Sequence, residues 1–345
     1  MKSMVIHIGY PKTGTSTIQD FFLTKMHDRG MINFLGKSNI KKYNSSVNLI
    51  REVIYPEAPR SRTRISIRDG VNVISNEDIV MSFYGIKNRR YVKTSDPIAT
   101  AQRLHAALIE LDIDDIDIVV SIRNQRDLIY SFYVEMWRWY FRHEPQLDTF
   151  HKYLKEGFAH GRDGIFRMFY FSDVIREYKK IFGEEKVHIL LFEDMTKNTE
   201  QFCERFCAPL GIPPKNLETI LAEKSSNTKK TRGDSYVTDD TTLYDEISSF
   251  LEKVGFFSLT RKIFTGDSDI KNTLRNIAER TLGKVPVTHG RTVDKPRREW
   301  MDRATKEFLE NNRDLINLGV NQSDLVRYGY LPDENQQHNN ASADS

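Results

Sequence analysis

The stretch "GYPKTGTS", Gly9 to Ser16, decides the fold. Before it runs "MVIHIG", apolar and closed by glycine, the pattern of a buried strand. After it Ile18, Phe21, Phe22 and Met26 recur at helical spacing, and Gly30 fits a helix C-cap. Strand, glycine-rich turn and helix in that order make an anion cradle. The first backbone N–H groups of the helix lack partners, and its dipole favours negative charge. Thr13, Thr15, Ser16 and Thr17 bring hydroxyls to the same place. Glycines occupy both positions of a GxxxxGK[ST] phosphate loop. Yet Thr15 stands where that loop carries its lysine, and Lys12 lies inside the turn. Either an ATP site has been damaged or the loop serves another anhydride.

Working outward, "GVNVIS" reads as a second strand, "IDIVVSIR" as a third and "KVHILLFED" as a fourth. Asp96-Pro97 opens a helix as N-cap and first helical position, with Ile98, Ala101, Leu104, Leu108 and Leu111 following. The third strand leads into a helix with Ile129, Phe132, Tyr133, Met136 and Tyr140 along one stripe. A helical stretch is expected from Ile165 to Phe182 and another in "NTEQFCERFCAPLG". This alternation predicts an α/β architecture: a three-layer, P-loop-like fold with a central parallel sheet flanked by helices, plus C-terminal helical additions. One domain over residues 1–332 is expected. It carries a polar surface insertion at 37–69, a helical insertion at 243–300 and a disordered tail at 333–345.

Hydrophobic residues make up 39% of the 345 and charged residues 29%, which suits a soluble globular chain. A formal charge of +3 demands no nucleic-acid partner. Cys203 and Cys207, four apart on one helix face, suit buried packing better than a disulfide or a zinc site. With no signal-peptide pattern ahead of the first strand and no transmembrane-length apolar run, a cytoplasmic location is expected.

The cradle binds a phosphate whatever the lysine does. Lys12, early in the loop, can reach an oxygen that bridges the bound phosphate to a departing group. No Walker-type aspartate ends the third strand; "DIVVSIR" ends in Arg123. "YPKTGTS" resembles the 5′-phosphosulfate loop of sulfotransferases that use PAPS (3′-phosphoadenylyl sulfate). "IVVSIRNQRDLIYSFY" resembles that family's second signature, a strand ending in arginine with a serine eight positions later. The resemblance implies PAPS as cosubstrate, PAP as product and no metal. It also implies that Pro11, Lys12, Thr13, Gly14, Thr15, Ser16 and Thr17 hold the 5′-phosphosulfate, and that Arg123 and Ser131 hold the 3′-phosphate. Gln125 replaces the commoner proline and Leu128 the commoner arginine, as in a bacterial branch of the family. The likeness continues through "FGEEKVHILLFEDM" and weakly into "LGVNQSDLVRYGYL". Sulfuryl transfer builds charge on the bridging oxygen, and a fixed ammonium there stabilises the transition state more than the ground state.

An acceptor hydroxyl needs a base. Glu77 lies just past the carboxyl edge of the second strand, where open α/β sheets bind ligands. The resemblance to carbohydrate and tyrosyl sulfotransferases makes it the catalytic base; the plainer reading has it complementing a helix capped by Ser75 or Asn76. His7 reads as packing, His105 as lying on a polar helix side, and His143 and His160 as lying in polar loops. Trp139 with Arg138, and Arg142 beyond, are candidates for an acceptor wall. Lys229, Lys230 and Arg232, or Arg291, read by default as solvated charge, with closure over the nucleotide as the functional alternative. "GFFSLTRKIF" reads as core packing, with peripheral membrane contact the alternative should the acceptor be a lipid-linked glycan. The expected partner is a small-molecule or glycan acceptor. The rival readings are a Mg²⁺-dependent nucleotide kinase or NTPase, and a nucleotide-binding protein without turnover.

Overall fold

Five strands, β1 (Lys2–His7), β2 (Asn33–Phe34), β3 (Gly70–Ser75), β4 (Asp115–Ile122) and β5 (Val187–Leu191), form one sheet in the order β2-β3-β1-β4-β5. Every neighbouring pair is parallel. The computed structural model describes residues 2–36, 46–54, 65–81, 84–87, 90–93, 96–113, 115–138, 140–223, 231–232, 235–238, 241–242, 286–288, 292–293 and 297–333. Four of the strands are those expected. The fifth, β2, has two residues, too few for any periodicity to show.

Side chains of a strand alternate between faces, and both faces of this sheet are covered. Met4, Ile6, Ile74, Ile116, Ile118, Val120 and Ile122 enter one core, whereas Val5, Val73 and Val119 enter the other. The second face is covered by α1, built from Thr15–Thr17, a π-helical stretch Ile18–Leu23 and Thr24–Asp28. Ile18, Phe22, Leu23 and Met26 of α1 are buried there, each burial contributing about 2 kcal/mol. That is more than the poorer hydrogen bonding of one π-turn costs. Gly30, at φ 72, lets Met31 N–H reach Met26 O and Gly30 N–H reach His27 O, a left-handed cap that ends α1.

The first face is covered by α2 (Val47–Ile54), α3 (Pro97–Ile109), α4 (Gln125–Trp137), α5 (Phe150–His160), α6 (Phe171–Phe182), α9 (Arg298–Asn317) and α10 (Gln322–Arg327). On the second face α7 (Thr199–Cys207) and α8 (Lys215–Glu223) join α1. Cys203 and Cys207 are free and buried, and burial pushes both thiols up to about 12, so they are packing residues. Asp96 caps α3 as expected, accepting from Ile98 N–H at 3.1 Å.

Three expectations are corrected. Within 37–69, read as surface elaboration, α2 buries Ile50, Val53 and Ile54 in the main core, and Arg103 donates to Val53 O. α4 is not a one-stripe helix: Leu128 to Val134 are all buried, so it lies inside the protein, and Tyr140 falls beyond its end. Finally, the helix expected from Ile165 begins at Phe171, after a short 3-10 turn, Arg167–Phe169. Phe166, Met168, Phe169 and Tyr170 are all buried, more apolar side chains than one face of a continuous helix can hide. Of the C-terminal expectations, the stretch 243–285 and the tail from 334 lie outside the described residues.

Candidate active site

The loops leaving β1 and β4, neighbours in the sheet, run to opposite faces, β1 into α1 and β4 into α4. A crevice opens at such a switch point, outside the carboxyl ends of the strands. The β1–β4 ladder continues past His7 through Ile8 N to Val119 O and Tyr10 N to Ser121 O, both 2.9 Å. The chain then turns. Thr13 closes the turn on Tyr10 O with its N–H at 3.2 Å and its hydroxyl at 2.6 Å. Lys12 and Gly14 are left-handed, φ 68 and 77. For Lys12 that conformation costs about 1 kcal/mol or more, and such strain collects at functional sites.

Neither loop glycine can be replaced without a clash. A Cβ on Gly14 would lie 2.7 Å from Met195 Sδ, and one on Gly9 would lie 2.3 Å from Thr15 Cγ2. Gly14 is also the N-cap of α1 and supplies no capping side chain. The N-terminal end of α1 therefore takes no side-chain cap from Gly14 and adjoins the loop.

Arg123, at the end of β4, points back into this loop. Its Nη1 donates to Lys12 O at 3.1 Å, and its guanidinium lies 4.8 Å from the centre of the Phe192 ring. Lys12 Nζ in turn donates to Glu135 Oε2 at 3.2 Å. Glu135 stands one turn after Ser131 on α4, and Ser131 is buried. The structure thus brings together Lys12, Arg123 and the α4 face that bears Ser131. Glu193, just past β5, accepts from Asn124 N–H at 2.9 Å and from the Tyr330 hydroxyl at 3.0 Å. Burial raises its carboxyl above the usual range.

At the end of β3, Asn76 rather than Ser75 caps the short turn Glu77–Ile79, accepting from Asp78 N–H at 2.8 Å. Ser75 Oγ instead lies 2.8 Å from His7 Nδ1, and His7 Nε2 lies 3.0 Å from Ser121 Oγ. One imidazole thereby joins the ends of β3, β1 and β4. Burial lowers His7 to about 4, with the nearby Glu77 charge opposing, so the ring is neutral at pH 7. Gln19, in the π-helical part of α1, donates to Ser75 O at 3.1 Å, to Ser75 Oγ at 3.0 Å and to Glu77 Oε2 at 3.4 Å.

Residues 2–285 match the sulfotransferase domain family. The chain belongs to that family. It is a PAPS-dependent sulfotransferase, and PAPS is the cosubstrate. Solved structures similar to it include a sulfotransferase from Alicyclobacillus acidocaldarius, at 17% identity over 79% of this chain and 99% of that one, TM-score 0.40. Another is mouse sulfotransferase SULT7A1 complexed with PAP, at 17% identity over 80% of this chain and 88% of that one, TM-score 0.37. No curated protein matches the chain significantly.

The sulfotransferase's Gln125, which stands where proline is commoner, has a structural task. Its amide exchanges hydrogen bonds with Asn312 of α9, at 2.7 and 3.1 Å, and donates to Phe169 O at 3.2 Å. Proline has no such donor. Tyr130, beside Ser131, donates to Val293 O at 2.5 Å, accepts from Tyr236 N–H at 2.9 Å and stacks on Tyr236. Ser235–Val237 pairs with both Thr231–Arg232 and Thr292–Val293. The short strands Thr231–Arg232 and Thr292–Val293 are therefore joined through Ser235–Val237 beside α4. Lys229, Lys230, Arg291, Trp139 and the "GFFSLTRKIF" stretch lie outside the described residues.

The other three histidines considered from the sequence have local partners. His105 meets the edge of Phe182, His143 accepts from Arg142 Nε at 2.9 Å, and His160 lies 3.4 Å from Glu156. Glu135, Gln19 and Phe192 were not singled out by sequence. The spacing of Glu135, four residues after Ser131, puts it on the same helix face but does not give its contact with Lys12. Among the described residues no helix is long and apolar enough to cross a membrane, and no group of three His, Cys, Asp or Glu is placed to hold a metal ion.

Proposed function

We propose that the Pro11–Thr17 loop holds the 5′-phosphosulfate of PAPS, that Arg123 and Ser131 hold the 3′-phosphate, and that Glu77 takes the proton of a carbohydrate hydroxyl. The observation that carries this reading is the Arg123 Nη1 to Lys12 O bond at 3.1 Å, which fixes the two anion-binding elements to each other across the switch point. PAPS supplies an activated sulfuryl group; this chain supplies placement and charge. The loop, with Thr15, Ser16 and Thr17, donates to the phosphate end, while Thr13 holds the turn closed on Tyr10 O. Lys12 offers an ammonium to the bridging oxygen, where charge grows as the bond to sulfur breaks. Arg123 offers a planar donor fork to a second phosphate.

Support for Glu77 as the base comes from the cap. Asn76 satisfies the turn, and Glu77 is placed at the carboxyl edge of β3 beside Gln19. A glycan acceptor, with peripheral membrane contact if it is lipid-linked, is supported by the resemblance of this glutamate to that of carbohydrate-sulfating enzymes. A single domain over residues 1–332 is supported by the Gln125–Asn312 bonds and by one core that holds residues from Met4 to Leu331. Two free cysteines suit a cytoplasmic setting.

The donor assignment is tested by thermal stabilisation: PAP should raise the melting temperature well above AMP, and equal shifts would remove the 3′-phosphate clamp. Transfer from radiolabelled PAPS, screened across glycans, phenols and lipids, tests the acceptor; labelling confined to phenols would overturn the carbohydrate assignment.

A further inference from the structure

The geometry points to Glu135 as a positioning residue that competes with the nucleotide for the Lys12 ammonium and takes it back when PAP leaves. This rests on the donor reading above. Lys12 is held at its backbone, where φ is 68 and Arg123 binds its carbonyl, so the freedom left to it is in its side chain. That side chain ends 3.2 Å from Glu135 Oε2. Ser131 and Glu135 lie four apart on α4, hence on one helix face, so the element that presents the 3′-phosphate hydroxyl also presents the carboxylate.

The degree of burial decides what this pair can do. Side-chain exposures of 21% for Lys12 and 38% for Glu135 leave it partly in water. A fully buried pair would strand a charge when opened, and a fully exposed one would scarcely hold the lysine. At intermediate exposure an incoming polyanion can draw the ammonium away at small cost. An ammonium has three N–H donors, so the exchange can pass through a state in which Lys12 touches both partners. As PAP departs, Glu135 recovers the ammonium.

Glu135→Gln keeps the side chain's size and removes the charge. PAP binding is measured by calorimetry and PAP dissociation by stopped-flow displacement, in wild type, E135Q, E135D, K12A and the E135Q/K12A double variant. Expected in E135Q are PAP affinity tighter by roughly two- to fivefold and dissociation slower by the same factor, both shrinking at high salt. E135D, which restores the charge, returns both toward wild type. In the K12A background the gain largely disappears. Unchanged or weaker PAP binding by E135Q overturns the proposal. An equal gain in both backgrounds also overturns it, because Glu135 would then act by direct repulsion and not through Lys12. Failure of the wild-type protein to bind PAP would instead overturn the donor reading itself.

Discussion

Gly9→Ala is a one-carbon change whose effect follows from two distances. The new Cβ would lie 2.3 Å from Thr15 Cγ2 and 2.9 Å from His7 Nε2. Neither neighbour can give way easily. His7 is buried and bonded between Ser75 and Ser121, and Thr15 is buried in the first turn of α1. Overpacking of this kind costs about 1–3 kcal/mol. With an unfolding entropy of about 2.1 cal/mol/K per residue, 345 residues give ~0.7 kcal/mol/K. The melting temperature should therefore fall by about 1–4 °C. The larger effect should be on binding, because relief comes by pushing Thr15, and with it the start of α1, out of the cradle. If the same strain opposes ligation, PAP affinity drops roughly 5- to 150-fold. Thr15→Ser removes the Cγ2 atom and keeps the hydroxyl, so the double variant should recover part of the loss. The His7 contact keeps recovery incomplete. A Gly9→Ala protein with wild-type melting and wild-type PAP affinity would refute the argument, as would a double variant that recovers nothing.

Lys12→Ala should cut turnover by about 10²–10³-fold, the scale for losing one preorganised donor at a developing charge, with a much smaller change in PAP affinity; unaltered kcat would end its catalytic assignment. Glu77→Gln should abolish transfer and leave PAP binding intact, whereas a fully active variant would return Glu77 to a structural part. The His7 shift gives stability a pH slope. From an ordinary 6.5 lowered to about 4, the unfolded state binds the proton first, so stability is complete above pH 6.5 and falls as the pH drops toward 4. The loss is about 3 kcal/mol. Urea titrations of wild type and His7→Gln across that window should differ in slope, and parallel curves would contradict a neutral buried ring.

Much of this molecule can be read from short segments. The β1 run, the glycine turn and the start of α1 each announce themselves within a dozen residues, because strand burial, turn chemistry and helix periodicity are local properties. Arg123 and Ser131 are also local to each other, one at a strand end and one on the helix that follows. What sequence hid depends on distant partners. Gln125 looks like an anomaly until Asn312, 187 residues on, is seen to complete its amide. Glu135 carries no motif, and its importance arises only when the loop folds Lys12 against it. The π-turn of α1 leaves no mark either, since it is fixed by which side chains the second core accepts.

The Gln125–Asn312 clasp has a consequence for how the chain is made. Asn312 also donates to Tyr330 O at 3.0 Å, and Tyr330 holds Glu193 beside the β4–α4 turn. A nascent chain emerging from the ribosome cannot complete that corner until its last helices are outside the exit tunnel. Synthesis halted before α9 should leave the amide of Gln125 without its mate, and a ligand added during translation should find no finished pocket until the final segment arrives.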